Sequence, residues 1–246
     1  MSNVRPMRSA RRSNSRIVAV LGMHRSGTSW LTGSLQQAGL ALGDVNEFAP
    51  HNQRGNREHE GLQRLHEKIL VDNGGSWDAP PTVVTWQRAH RRSVADVVTA
   101  MDTQFPVWGF KDPRALLMLH EWRDLVGERL EFIGIFRKPL RVAHSLAARP
   151  DGPPIERGIE LWNRYNEALI SAHRVAPFPL IEFDAADQSL LAFVGRLAAD
   201  LGLSAPDAAG TFFAAEFAHM EAFDDIPSTC TAAWEYLSEH RSQATS

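Results

Sequence analysis

Ile17-Val18-Ala19-Val20-Leu21-Gly22-Met23-His24-Arg25-Ser26-Gly27-Thr28-Ser29-Trp30 is the stretch on which the reading of this chain turns. Ile17 to Leu21 is an unbroken apolar run without polar alternation, which predicts a strand buried on both faces of a parallel sheet. Gly22 and Gly27 bracket the turn that follows, and Ser29–Ala38 has helical character ending near Gly39. A strand, a glycine-bounded turn and a helix in that order point backbone N–H groups and a helix N-terminus at an anion. The segment therefore predicts a phosphate site. It departs from the pattern G-x-x-x-x-G-K-S/T, whose lysine reaches the β- and γ-phosphates of a nucleoside triphosphate. Thr28 stands at the lysine position, and the cation sits inside the loop at Arg25.

Outward from this segment, strands and helices alternate. Residues 44–57 are rich in turn formers and are expected to loop over the top of the sheet. Helical spacing runs through Glu58–Val71 and Arg88–Met101. Three more strands are expected at Val107–Phe110, Leu130–Phe136 and Leu180–Phe183, followed by helices at Leu116–Val126, Leu140–Ala148 with Ile155–His173, and Leu190–Leu201. Ala208–Leu237 also reads as helical. Alternation of this kind predicts an α/β fold with a central parallel sheet flanked by helices in three layers. No linker divides the chain, so residues 16–246 are expected to form one domain behind a disordered basic arm at 1–15.

Composition narrows the function classes. The 246 residues are 43% hydrophobic and 22% charged, close to the average for soluble globular proteins. Ile17–Leu21 is the longest apolar run near the N-terminus, far below the ~20 residues that span a bilayer, and nothing there has the length of a secretory apolar core. No membrane span is expected. One cysteine, Cys230, permits no internal disulfide and no structural zinc site. A reducing cytoplasmic setting is the expectation. The net charge is −3, yet Arg5, Arg8, Arg11, Arg12, Arg16 and Arg25 precede the first acidic residue, Asp44. The acidic remainder of the chain argues against nucleic acid as a partner, and no G-x-S-x-G elbow supports a serine hydrolase.

A second phosphate motif follows the strand at Leu130–Phe136. In Arg137-Lys138-Pro139-Leu140-Arg141-Val142-Ala143-His144-Ser145, Arg137 leaves the strand as a forked donor and Pro139 starts a helix at N1, where its missing N–H costs nothing. Ser145 lies about two turns along that helix. The first motif, Arg25-Ser26-Gly27-Thr28-Ser29-Trp30, resembles the 5′-phosphosulfate loop of the sulfotransferases, K/R-S-G-T-T/S-W/L. The second matches their 3′-phosphate motif, R-x-P-x-x-x-x-x-S, without a gap. Asn52-Gln53-Arg54-Gly55-Asn56-Arg57-Glu58, Ser76-Trp77-Asp78-Ala79-Pro80-Pro81, Trp108-Gly109-Phe110-Lys111-Asp112-Pro113-Arg114 and Leu161-Trp162-Asn163-Arg164-Tyr165-Asn166 are also similar to bacterial members of that family. Departures are Gln53 for a proline, Asn56-Arg57 for an aromatic pair, and no R-K-G loop beyond Ser145.

The resemblance implies a P-loop-type fold and transfer of a sulfuryl group from 3′-phosphoadenylyl sulfate (PAPS) to a hydroxyl of a carbohydrate or small molecule. Adenosine 3′,5′-bisphosphate would be the second product, and no metal is expected. Arg25, Ser26, Gly27, Thr28, Ser29, Trp30, Arg137 and Ser145 would bind the donor. Trp30 would either pack against adenine or serve as a core aromatic. Arg25 would stabilise the leaving 5′-phosphate, since a guanidinium is fixed, charged and bidentate. The K-x-H histidine of cytosolic members is absent, because Lys111-Asp112-Pro113 occupies that position. Glu58 is the preferred base over Glu47, with His51 and His59 as outsiders, and Lys111 would act at the sulfuryl group with Asp112 and Arg114 shaping the acceptor side. Trp77, Trp86 and Trp162 are read equally as pocket or core residues. Alternatives are a P-loop small-molecule kinase and a non-catalytic nucleotide-binding relative.

Overall fold

The computed structural model describes residues 15–48, 55–204 and 223–242. Four strands, β1 (Arg16–Leu21), β2 (Val107–Lys111), β3 (Leu130–Phe136) and β4 (Leu180–Glu182), form one sheet in the order β2-β1-β3-β4. Every pairing is parallel. The helices among the described residues are α1 (Thr28–Gln37), α2 (Glu60–Asp72), α3 (Arg88–Gln104), α4 (Leu119–Val126), α5 (Pro139–Ala147), α6 (Ile155–Val175), α7 (Asp187–Asp200) and α8 (Thr231–Glu239).

Successive side chains of a strand point to opposite faces, and both faces here are covered. Ile17, Ala19 and Leu21 of β1 share one core with Trp108, Phe110, Phe132 and Phe136 and with residues of α2 to α6 and α8. Val18 and Val20 share the other with Ile133, Ile135 and Ile181, closed by Leu31 and Leu35 of α1 and Phe193 and Val194 of α7. This is the expected three-layer α/β arrangement, and it accounts for the unbroken apolar run of β1.

Parallel register brings the connections that follow the strands together. Val20 lies opposite Lys111, Leu21 opposite Gly134, and Phe136 opposite Glu182. All four strands therefore end at one edge of the sheet, the edge where ligands bind in open α/β folds.

Three departures from expectation have an evident local cause. α2 begins at Glu60 because His59 caps it, Nδ1 accepting from the Gly61 and Leu62 N–H groups at 3.2 and 3.3 Å. Glu58 thus precedes the helix. The helix expected from Leu116 opens as a tighter 3₁₀ turn over Pro113–Met118, where Asp112 accepts the Arg114 N–H at 2.9 Å and proline fixes the start. Of the expected helix Ala208–Leu237, residues 205–222 lie outside the described residues and 223–227 are not helical. Pro227 cannot occupy a helix interior, and a 3₁₀ turn at Ser228–Cys230 leads into α8. Residues 1–14 and His51 also lie outside the described residues. No described helix is long and apolar enough to cross a membrane.

Gly22 sets how closely β1 approaches β3 at the site edge. A Cβ there would stand 2.4 Å from the Ile135 carbonyl oxygen and 2.8 Å from Thr28 Cγ2, whereas one at Gly195 in α7 would meet nothing within 4 Å. Gly22→Ala is predicted to lower stability by about 1–3 kcal/mol in denaturant unfolding. Gly195→Ala should leave it unchanged or raise it by up to about 1 kcal/mol.

Candidate functional site

The connection leaving β1 folds back at once: the Ser26 N–H donates to the Met23 carbonyl at 3.2 Å. Arg25 (φ 67°) and Gly27 (φ 88°) both take the left-handed conformation. Glycine adopts it freely, and a Cβ on Gly27 would also strike the Phe183 ring at 2.3 Å. Arg25 has no such freedom, and holding it there costs on the order of 1–3 kcal/mol, a strain that clusters at functional positions. Gly27 is the N-cap of α1 and supplies no side-chain cap. The first N–H groups of the helix, and the positive end of its dipole, are therefore left for an anion. Ser26 is fully buried, and its hydroxyl oxygen has no hydrogen-bond partner among the described residues. Thr28 is buried, and Ser29 Oγ donates to the Asn56 carbonyl at 3.1 Å. Trp30 is buried in the α1/α7 core with its ring 5.9 Å from Phe183.

The second motif meets the first across 120 residues of chain, as Arg25 Nε donates to Ser145 Oγ at 2.7 Å. Arg137 is buried over the face of Phe183, and its Nε donates to Asp184 at 3.1 Å. Asp184 also accepts from Arg141 at 2.8 Å and from the Lys138 N–H at 3.1 Å. This carboxylate, just past β4, aims the basic end of α5. Trp162 Nε1 fixes the backbone by donating to the Arg137 carbonyl at 2.8 Å. Burial, followed by the positive charges of Arg149 and Arg137, lowers the Arg25 guanidinium to about 10, still fully charged at neutral pH.

On the other side of the loop, Glu58 and Lys111 form a buried ion pair, Nζ to Oε1 at 2.8 Å. Arg114 lies 3.4 Å from Glu58 Oε2 and donates to Asp112 and Glu67, both at 2.7 Å. Asp112 in turn meets His66 Nδ1 at 2.9 Å, while Trp122 Nε1 lies 3.1 Å from His66 Nε2. Indole N–H is only a donor, so His66 Nε2 accepts and Nδ1–H faces the carboxylate. The Arg114 and His66 partners hold the Asp112 carboxyl far below the usual range against the opposing effect of burial.

Of the sequence candidates, Arg25, Ser145 and Arg137 converge at the loop, while Glu58, Lys111, Asp112 and Arg114 converge beside it. Glu47 stands apart, exposed and paired with Arg57 at 2.9 Å. His59 is occupied as a helix cap. Trp86 and Trp162 are core residues, whereas Trp77 lies against His24, ring centroids 4.8 Å apart.

Sequence reasoning missed three residues. Asp184 was visible only as an acid at a strand end. Arg149, four residues past Ser145, has a buried Nε without a hydrogen-bond partner among the described residues. Burial lowers its guanidinium, and Glu58 opposes that shift. His24 lay unremarked inside the loop motif.

Removing one member of a buried pair strands the other. Lys111→Met should cost about 3–5 kcal/mol in urea unfolding. The double variant Lys111→Met/Glu58→Gln should lose less than the sum of the two single changes.

No family model and no curated protein matches the chain. Two solved structures do. One is sulfotransferase STF1 from Mycobacterium tuberculosis H37Rv, with 15% identity over 92% of this chain and 77% of that one, at a TM-score of 0.47. The other is the sulfotransferase domain from the Synechococcus PCC 7002 olefin synthase, with 14% identity over 85% of this chain and 80% of that one, at a TM-score of 0.54. The chain shares the fold of that sulfotransferase domain.

Proposed function

We propose that the protein is a sulfotransferase that moves a sulfuryl group from PAPS to a hydroxyl of a carbohydrate or small-molecule acceptor. The observation that carries this reading is the meeting of the two motifs beside the uncapped start of α1, where Arg25 Nε donates to Ser145 Oγ at 2.7 Å and Arg137 Nη1 lies 3.5 Å from the Arg25 carbonyl oxygen. Cations beside a helix N-terminus favour an anion at that place. A nucleotide bearing phosphates at both ends of its ribose supplies two such anions.

In this reading Ser26, Gly27, Thr28 and Ser29 receive the 5′-phosphate through backbone and hydroxyl donors, with Trp30 behind them. Arg137 and Ser145 receive the 3′-phosphate, and Arg25 spans the two. Sulfuryl transfer resembles phosphoryl transfer in demanding position and charge stabilisation rather than covalent help. Arg25 answers the charge that develops on the leaving phosphate, and Lys111 lies on the sulfuryl side. A kinase would need a cation at position 28 for the β- and γ-phosphates, and the residue there is Thr28.

Calorimetric titration tests the reading. Adenosine 3′,5′-bisphosphate should bind without magnesium, and Arg137→Ala, with its fold confirmed by thermal melting, should weaken binding by about 10–100-fold, the equivalent of about 1.5–3 kcal/mol for charged hydrogen bonds. Binding of ATP with magnesium in place of the bisphosphate would favour the kinase. Binding of neither would leave a non-catalytic relative.

A further inference from the structure

His24 sits where the two halves of the site meet. Its backbone belongs to the phosphate loop, and its ring lies between Trp77 and Tyr165, with centroids 4.8 and 5.8 Å away. The charged groups facing it are Arg114, Asp112 and Lys111 from the end of β2 and Arg149 from beyond α5. Neighbouring loop residues thus divide the space: Arg25 turns to Ser145 on the second phosphate motif, and His24 sides with the Lys111–Arg114 cluster. His24 Nε2 is buried and has no hydrogen-bond partner among the described residues. Burying such an atom unpaired costs about 1–3 kcal/mol, and a buried polar group left without a partner in a native fold calls for an explanation.

The protonation state suits a base. Burial, followed by the Arg114 guanidinium, holds the imidazole well below 6.5, so the ring is neutral at physiological pH. In the Nδ1–H tautomer, Nε2 presents a lone pair. Glu58 is placed differently, since Oε1 meets Lys111 at 2.8 Å and Oε2 faces Arg114 at 3.4 Å. A proton on either oxygen would break a buried ion pair.

We infer that His24 Nε2 takes the proton of the acceptor hydroxyl, a role that rests on the sulfotransferase reading above. The acceptor oxygen bonds to sulfur as the bond from sulfur to the bridging 5′-phosphate oxygen breaks. The electron pair of that bond leaves on the phosphate, and the hydroxyl proton moves to Nε2, giving an imidazolium that later releases it to water. Charge on the departing phosphate favours the imidazolium beside it. Glu58 then acts as a positioning residue that holds Lys111 and Arg114. Trp77, against one side of the ring, lies on the connection between α2 and α3, and that connection governs which acceptors reach Nε2.

The test pairs binding with turnover for the full chain and for His24→Asn and His24→Gln. Bisphosphate affinity is read by calorimetry, and release of bisphosphate from PAPS is read with water, phenol and a panel of methyl glycosides as acceptors. Both variants should bind the bisphosphate within about 3-fold of the parent and lose about 100-fold or more in kcat. The parent rate should stay level as pH falls through 6.5 and decline only below it, because a lowered pKa delays protonation. The variants should lose that acid limb. Full turnover in either variant, or an unchanged acid limb, overturns the assignment to His24 while leaving the transfer reading intact. A parent that binds no bisphosphate, or binds it and turns over PAPS with none of these acceptors, overturns the transfer reading and the assignment with it.

Discussion

The pairing of β1 with β3, in register from Ile17 opposite Leu130 to Leu21 opposite Gly134, is the constraint on which the site depends. It places the turn after Leu21 beside the turn after Phe136, so that the Arg25 side chain reaches Ser145. The approach is close enough that Gly22 has no room for a side chain against the Ile135 carbonyl. Were another strand to separate β1 from β3, the two turns would lie about 10 Å apart instead of about 5 Å, and the contact of Arg25 with Ser145 would be lost. Sheet order thus decides whether the two motifs meet.

A second constraint is electrostatic. The edge of the sheet gathers several buried charges, and they are arranged in two ways. Around Glu58 and Asp112 the cations are matched: Lys111 and Arg114 each meet a carboxylate, and His66 completes the chain of contacts back to Trp122. Around the start of α1, Arg149 and Arg137 act on Arg25 as like charges, while Asp184 pairs with Arg137 at 3.1 Å. The first arrangement suits a rigid wall, the second a place for an anion. Arg137 is the hinge between them in kind, since Asp184 aims it without occupying the loop.

Much of the fold was legible because its signals are local. The apolar run of β1, the glycines at 22 and 27, and the Arg137-Pro139-Ser145 spacing each declare strand, loop or helix start within a few residues. What escaped was set by partners far apart in sequence. Glu58 finds Lys111 across 53 residues and Arg114 across 56, so their shared pair has no linear signature. The start of α2 was misplaced because a histidine, an uncommon cap, replaces the usual Ser, Thr, Asp or Asn. His24 was passed over because a lone histidine in a loop carries no period and no spacing. Only the burial of its Nε2 beside Trp77 and the Arg114 cluster distinguishes it.

In the proposed function one nucleotide bridges the two motifs at the β1/β3 edge. The most direct test is a crystal structure with adenosine 3′,5′-bisphosphate bound. The 5′-phosphate is expected on the amides of residues 26–29 and the 3′-phosphate on Arg137 and Ser145, with Arg25 drawn off Ser145 toward phosphate oxygens. A nucleotide seated elsewhere, or one whose 3′-phosphate points to solvent while Arg25 stays on Ser145, would contradict it.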